Sequence, residues 1–391
     1  MAFVEVSFIT HILYEIGEGL VKITDVEAIY LRLPEIDALR CDGTQDTLLI
    51  RIHTDAGITG IGEVDSSPEV AKAIIEASAS HLISNGLKNI IIGEDPFDRE
   101  KLWNNMFHGS SYYGRQGAAI HAISGIDMAL WDIVGKTAER TTAQMLGGVY
   151  RNRVKAYASL VMPETIKDAC LLAEKFMDMG YKAIKFGWGP FGADDYFDVE
   201  AVKAIRSVIG ERTELMIDIG QRWDAKHAIK MARRFEEYGV HWIEEPLAPD
   251  DLEGYAMLSA ATDIHIAAGE NESGRKAFER LIKEGRVDII QPDLGRCGGL
   301  TEGKKIADLA YAEHKMIVPH AFKTGILVAA STHFAASISN GFLMEYTVSD
   351  SPLARTLVQN PVLFKDGYVH LPDRPGLGIE IDPDAEARFR V

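Results

Sequence analysis

Leu215-Met216-Ile217-Asp218, His241-Trp242-Ile243-Glu244 and Ile266-Ala267-Ala268-Gly269-Glu270 are three short apolar runs that each end in an acid. The acids stand 26 residues apart, and each is followed by a turn and a helix-like stretch. One strand, one turn and one helix of a parallel α/β barrel take about that length, so the three carboxylates are expected at one end of a barrel, its C-terminal face. Two carboxylates ~4 Å apart repel by roughly 4 kcal/mol at a surface-like dielectric, so three in one pocket are tolerable mainly around a cation. An all-oxygen donor set points to Mg²⁺.

The alternation extends to both sides. Candidate strands are Val154–Leu160, Ala183–Gly187, Glu214–Gly220, Trp242–Pro246, His265–Glu270, Asp288–Asp293, Ile317–Phe322 and Phe342–Tyr346, with periodic helices between them such as Ala225–Tyr238 and Thr301–Lys315. Eight such units are what barrel closure requires. A doubly wound open sheet would need fewer strands and a glycine-rich first turn, which is missing here. Upstream, Ile23–Leu31 reads as a strand, Thr47–Thr54 and Ile58–Glu63 as a hairpin about Asp55-Ala56-Gly57, and residues 69 to about 147 as helices. The expected organisation is an extension over 1–20, an α+β capping domain over 21–150, a TIM-like barrel over 151–355 and a C-terminal segment over 356–391 that packs on the cap. Cap loops at Asp37–Asp46 and Asp65–Pro68 are expected to close over the barrel mouth and set specificity.

Bulk properties narrow the function. A chain of 391 residues with 47% hydrophobic and 25% charged residues is ordinary for a folded two-domain protein. A net charge of −17 argues against nucleic acid and anionic membrane as partners, since both demand a basic face. A small anion remains compatible if it is neutralised locally. The three cysteines, Cys41, Cys170 and Cys297, form neither a disulfide framework nor a zinc motif, which points to a reducing, cytoplasmic location. No run reaches the ~18 apolar residues of a membrane span. Residues 1–20 carry Glu5, His11, Glu15 and Glu18 and lack a basic start and a small-residue cleavage site, so no secretory signal is expected.

The expected strand ends bring one polar inventory together: Lys185 on the second strand, Asp218, Glu244 and Glu270 on the third to fifth, Asp293 on the sixth, His320 on the seventh and Glu345 on the eighth. Octahedral Mg²⁺ on three carboxylates leaves about three positions for water and a substrate carboxylate. Lys185 suits neutralisation of that carboxylate, although it could also snorkel from the rim. His320 is the one side chain of the set whose ordinary pKa lies near neutrality, so it suits proton transfer. Asp293 could hold the His320 tautomer and raise its pKa, or could cap the next helix. Trp188, Arg222, Trp223 and Lys323 follow strand ends and either line the substrate site or pack the loops. Gly295-Arg296-Cys297-Gly298-Gly299 matches no nucleotide fingerprint.

Met216-Ile217-Asp218, Trp242-Ile243-Glu244-Glu245-Pro246, Ala268-Gly269-Glu270-Asn271, Gln291-Pro292-Asp293 with Cys297-Gly298-Gly299, Val318-Pro319-His320 and Met344-Glu345 resemble the enolase superfamily, and within it the mandelate racemase subgroup. In the first domain, Ala122 to Asp132 and Gln144-Met145-Leu146-Gly147-Gly148 are similar too, so the resemblance runs from about residue 22 to the end. It implies a (β/α)7β-like modified TIM barrel with an N-terminal α+β cap completed by the C-terminal tail. It also implies Mg²⁺ on Asp218, Glu244 and Glu270, an Asp293–His320 acid/base dyad, and Glu345 as a hydrogen-bonding electrophile on the substrate carboxylate. Self-association, from dimer to octamer, is expected.

One departure matters. The subgroup's second strand ends in two lysines one residue apart, the second a base on the face opposite the histidine. Here Ala183-Ile184-Lys185-Phe186-Gly187-Trp188-Gly189 has Lys185 in the first place and Gly187 in the second. Two-base racemisation loses a base, whereas dehydration of a sugar acid by His320 alone survives. The first expectation is therefore a Mg²⁺-dependent acid-sugar dehydratase, with a racemase, epimerase or cycloisomerase as the alternative. A metal-dependent hydrolase usually wants a His-x-His pair on the first barrel strand, and Val154-Lys155-Ala156-Tyr157-Ala158 has none. A binding protein that keeps the barrel without catalysis is the non-enzymatic alternative.

Overall fold

The computed structural model describes residues 21–391; the expected extension over 1–20 lies outside them. The chain begins with an antiparallel sheet ordered β1 (Ile23–Arg32), β2 (Asp46–Thr54), β3 (Thr59–Val64). Helices α1 (Pro68–Glu76), α2 (Leu87–Ile91), α3 (Arg99–Gly109), α4 (Ala118–Thr137) and α5 (Thr142–Met145) follow. α4 packs on β3 in backbone contact, because a Cβ on Gly60 or Gly62 would fall on the carbonyl oxygens of Ala129 and Gly125. By length and hydropathy α4 is a membrane-length apolar helix, which amends the sequence expectation, yet it is the buried core helix of this unit.

The eight strands expected beyond residue 153 are all present: β4 (Arg153–Val161), β5 (Ala183–Gly187), β6 (Glu214–Asp218), β7 (Val240–Glu244), β8 (His265–Ala268), β9 (Ile289–Ile290), β10 (Met316–Ile317) and β11 (Leu343–Thr347). They pair in parallel in chain order, and β11 closes on β4 from Leu343↔Lys155 to Thr347↔Ser159. Seven helices alternate with them: α6 (Ile166–Asp178), α7 (Asp195–Ile209), α8 (Ala225–Phe235), α9 (Leu252–Ser259), α10 (Arg275–Lys283), α11 (Gly299–Ala312) and α12 (Gly325–Ser337). β9 and β10 are much shorter than the sequence pattern predicts. Pro292 and Pro319 lack an N–H to give, so regular pairing stops before them and resumes as the single bridge Asp293↔His320. Tyr157, Met216, Trp242, Ala267, Ile289, Val318 and Leu343 fill the barrel interior beneath the mouth.

After β11 come α13 (Pro352–Thr356), the hairpin β12 (Phe364–Lys365) and β13 (Tyr368–His370), and α14 (Pro383–Phe389). β13 pairs antiparallel with the start of β4. The tail then reaches the first unit: the Leu377 N–H donates to Asp132 at 2.8 Å, Arg51 donates to Glu386 at 2.6 Å, and Arg390 bridges Leu31 on the edge strand β1.

Two carboxylates of the first unit dock it on the barrel. Asp127 of α4 accepts from the Thr301 N–H at 2.9 Å and the Thr301 hydroxyl at 2.6 Å, at the start of α11. Glu63 of β3 accepts from the Leu327 N–H at 3.0 Å, at the start of α12, and from the Thr47 hydroxyl at 2.6 Å. Each satisfies a helix N-terminal donor that its own helix leaves free. A Cβ on Gly299 would fall on the Asp127 carboxylate, so the glycine permits this docking.

Candidate active site

Asp218 and Glu244 are the last residues of β6 and β7, and Glu270 lies just past β8. All three are buried, and one oxygen of each lies within 4.8 Å of the others. The remaining bonds aim them. Asp218 accepts from the Gly220 N–H at 2.9 Å, while Glu244 accepts from the Trp242 indole at 2.9 Å, from the Gln291 amide at 2.8 Å and from Lys185. Glu270 faces Arg296 at 3.4 Å and the His320 ring at 3.3 Å. Burial first, and then Glu244, push the Asp218 carboxyl well above the usual range, with Lys185 only partly opposing them. Burial likewise raises Glu244, against the pull of Lys185. Stranded charge of this kind is what a hard, oxygen-seeking divalent cation relieves, so the donor set fits Mg²⁺.

His320 and Asp293 meet as the spacing of their strands predicts. The ring Nδ1 lies 2.5 Å from one Asp293 oxygen, and the other oxygen accepts from the Gly295 N–H at 2.6 Å. Asp293 thus holds the imidazole and closes its own turn, and the cap of the following helix comes from Asp127 instead. Burial works against an imidazolium, but Glu270, Glu345 and Asp293 outweigh it and lift His320 to about 10. Lys185 contacts Glu244, Glu345 at 3.1 Å and Asp218 at 3.9 Å. Burial disfavours its charge, yet these carboxylates hold its pKa well above the ordinary lysine value.

Glu345 sits where the sequence places it, between Lys185 and His320. One oxygen accepts from the Ser159 hydroxyl and the other from the Ala321 N–H, each at 2.6 Å. Burial opposes ionisation, but Lys185 and His320 prevail and hold Glu345 down at about 2. A carboxylate so ionised accepts hydrogen bonds; it would donate one only after taking up a proton.

Other participants were not read from the sequence. Glu245, at φ +35°, accepts from the Gln221 amide at 2.7 Å and the Asn271 amide at 2.6 Å. The signal was present: Gln221, Glu245 and Asn271 each stand within three residues after one of the three clustered acids. Asp65, in the cap loop, meets Arg296 at 2.8 Å and Lys323 at 3.3 Å, and its N–H donates to Gly295. The 37–46 loop also lies on the barrel rim, with Thr44 bonded to Ser349 and Ser351. Of the four rim residues left open by the sequence, Trp188 lines the cavity over the acids. Arg222 and Trp223 instead bind loop carbonyls at residues 189, 191 and 192. Lys323 is held by Asp65 and Asp46.

Comparison with known proteins shows the family of the chain. The family model for the mandelate racemase / muconate lactonizing enzyme N-terminal domain matches residues 21–147, and the one described as enolase C-terminal domain-like matches residues 169–385. The D-galactarolactone cycloisomerase of Agrobacterium fabrum is 35% identical over 88% of this chain and 91% of its own. The D-xylonate dehydratase of Haloferax volcanii is 31% identical over 90% of this chain and 87% of its own. The crystal structure of a racemase from Streptomyces coelicolor with bound magnesium superposes with a TM-score of 0.84 at 30% identity, covering 94% of this chain and all of the other.

Proposed function

The chain is an enzyme of the enolase superfamily, in its mandelate racemase subgroup, and on that premise we propose that it is a Mg²⁺-dependent lyase acting on an acid sugar. It removes the proton α to the carboxylate, expels the β-hydroxyl as water, and releases an enol that becomes a 2-keto-3-deoxy acid. Mg²⁺, held by Asp218, Glu244 and Glu270, would neutralise the charge that builds on the substrate carboxylate as the proton leaves. Lys185 adds fixed positive charge beside that carboxylate. His320 must first release the proton that Glu270, Glu345 and Asp293 hold on it, a release that Mg²⁺ on Glu270 would ease; the neutral ring, its tautomer set by Asp293, then takes the α-proton through Nε2 and as imidazolium returns a proton to the departing hydroxyl. Glu345, anionic at rest, anchors Lys185 and stabilises the imidazolium. The cap loops exclude water from the mouth.

The observation that carries this reading is the one-sided distribution of bases. Among the described residues lining the cavity, His320 is the group suited to cycling a proton, because Lys185 is locked among carboxylates and position 187 is glycine. Removal and return of protons by one imidazole suits elimination and does not suit two-base racemisation. The D-galactarolactone cycloisomerase relative favours a second reading, in which the same first step expels a ring oxygen instead of a hydroxyl. A library of acid sugars and their lactones, incubated with Mg²⁺ in D₂O, separates the cases. Dehydration gives a keto acid trapped by semicarbazide, cycloisomerisation gives an isomer of unchanged mass apart from deuterium, and racemisation gives a deuterated epimer. His320→Asn should lose about 10²–10⁴-fold in rate. Full turnover by that variant would place the base elsewhere.

A further inference from the structure

The cavity over Asp218, Glu270, Lys185 and His320 has a volume of about 230 Å³, small for a ligand pocket. Its polar lining also includes Ser159, Asn271, Arg296 and Glu345. The rest of its wall includes Cys41, Leu160, Val161, Trp188 and Phe322. Among the described residues that line it, the cations are Lys185, Arg296 and His320, and each already faces a carboxylate: Glu244 and Glu345, Asp65 and Glu270, and Asp293 respectively. Arg222 on the neighbouring loop donates to the carbonyls of Gly189 and Phe191. A second carboxylate on a substrate would leave water and, among the described residues that line the cavity, meet no cation without a carboxylate partner.

Trp188 is placed with unusual care. It is a bulky residue at φ +56°, in the left-handed region that such side chains avoid. Its N–H donates to the Asp218 carbonyl at 3.2 Å and its own carbonyl accepts from Phe191 at 3.0 Å. The indole lies on Gly220, itself at φ +61°, where a Cβ would come within 2.8 Å of the ring. Two left-handed residues together fix the indole against Gly220 in the wall of the cavity, immediately after the bare strand end at Gly187. An indole face of this kind suits the C–H side of a sugar, with the hydroxyls turned away.

We propose that Trp188, with Leu160, Val161, Phe322 and Cys41, forms an uncharged stacking subsite for the end of the substrate remote from its reacting carboxylate. The substrate is then a monocarboxylate of about six carbons or fewer, such as an aldonic acid, a 6-deoxy aldonic acid or a sugar-acid ring, and not an aldaric diacid. This assignment rests on the acid-sugar reading above.

Stereochemically matched aldonic and aldaric acids test it, with Mg²⁺-loaded protein, by calorimetric binding, by α-proton exchange in D₂O and by turnover. Each aldonate should exceed its aldarate in affinity, and in kcat/KM wherever turnover occurs, by roughly a hundredfold. Trp188→Ala should raise the dissociation constant, and KM with it, for aldonates by about tenfold or more with a smaller change in kcat, and Trp188→Phe should recover most of the loss. Leu160→Lys should narrow the gap between the two classes, which a merely structural change would not do. Aldarates bound and processed as well as their aldonates, or an unchanged dissociation constant in Trp188→Ala, would overturn the subsite while leaving the reaction intact. Aldonates that bind through Trp188 without exchanging their α-proton would keep the subsite and remove the assigned chemistry. Failure of every acid to bind would overturn the subsite.

Discussion

A methyl group at position 187 would lie 2.5 Å from the Asp218 Cβ and 3.0 Å from its Cγ, closer than carbon atoms tolerate. The glycine therefore does more than omit a second lysine: it leaves the room in which Asp218 takes its aim. Gly187→Ala should weaken Mg²⁺ binding by roughly 10–100-fold, the range for disturbed support of a metal ligand. Calorimetry would show the loss against an unchanged far-UV spectrum, and wild-type affinity would mean that Asp218 adjusts without cost. At this scale the sequence was legible where residues recur with the barrel's own period. Asp218, Glu244 and Glu270 betray themselves by equal spacing, and Asp293 and His320 by their places at strand ends. The Asp65–Arg296–Lys323 cluster was not legible, since its members come from a cap loop and two barrel loops and share no period. The left-handed turn at Trp188 was hidden for another reason: nothing in the identity of a tryptophan announces positive φ.

Between elements, the contacts of most consequence are those that let cap acids serve barrel helices. Burial raises Asp127 to about 7 against the hydrogen bonds from Thr301, and raises Glu63 to about 7 against those from Thr47 and Leu327. Their ordinary values are 3.8 and 4.5, so the folded protein binds these protons more tightly than the unfolded chain. The resulting stability is complete below the ordinary values and is lost as pH rises through about 7. Urea melts of the double variant Asp127→Asn, Glu63→Gln should show less loss across that window than wild type, by at least about 1 kcal/mol. Parallel pH profiles for the two proteins would contradict the shifted values. Strand order and helix alternation were readable from hydrophobic period, but these caps were not, because a cap donated by another domain leaves no local signature. Cys297-Gly298-Gly299 was the one trace: Gly299 admits Asp127 of α4 to the start of α11, and the Gly298 N–H donates to Ser124 of α4. β9 and β10 were read too long, because the apolar run continues past the point where Pro292 and Pro319 end the pairing.

At the scale of the molecule, the cap combines the segments on either side of the barrel. Arg51 and Glu386 are 335 residues apart in sequence and form a half-buried ion pair. Glu386→Ala should cost about 1 kcal/mol in the melting of the cap, more at low salt than at high. Chemical denaturation at two ionic strengths would measure it, and an unchanged midpoint would show the tail to be held by its backbone contacts alone. The fold-back of the tail could be expected from its composition, whereas its register against β1 could not. That register has a bearing on biosynthesis. β1 is an edge strand, and the bridge from Leu31 to Arg390 together with the Val391 N–H on the Tyr30 carbonyl covers part of its open side. A polypeptide emerging from the ribosome therefore displays that edge while the whole barrel is being translated. A nascent chain that stops before Arg390 leaves this strand unguarded, open to pairing with its neighbours in a polysome.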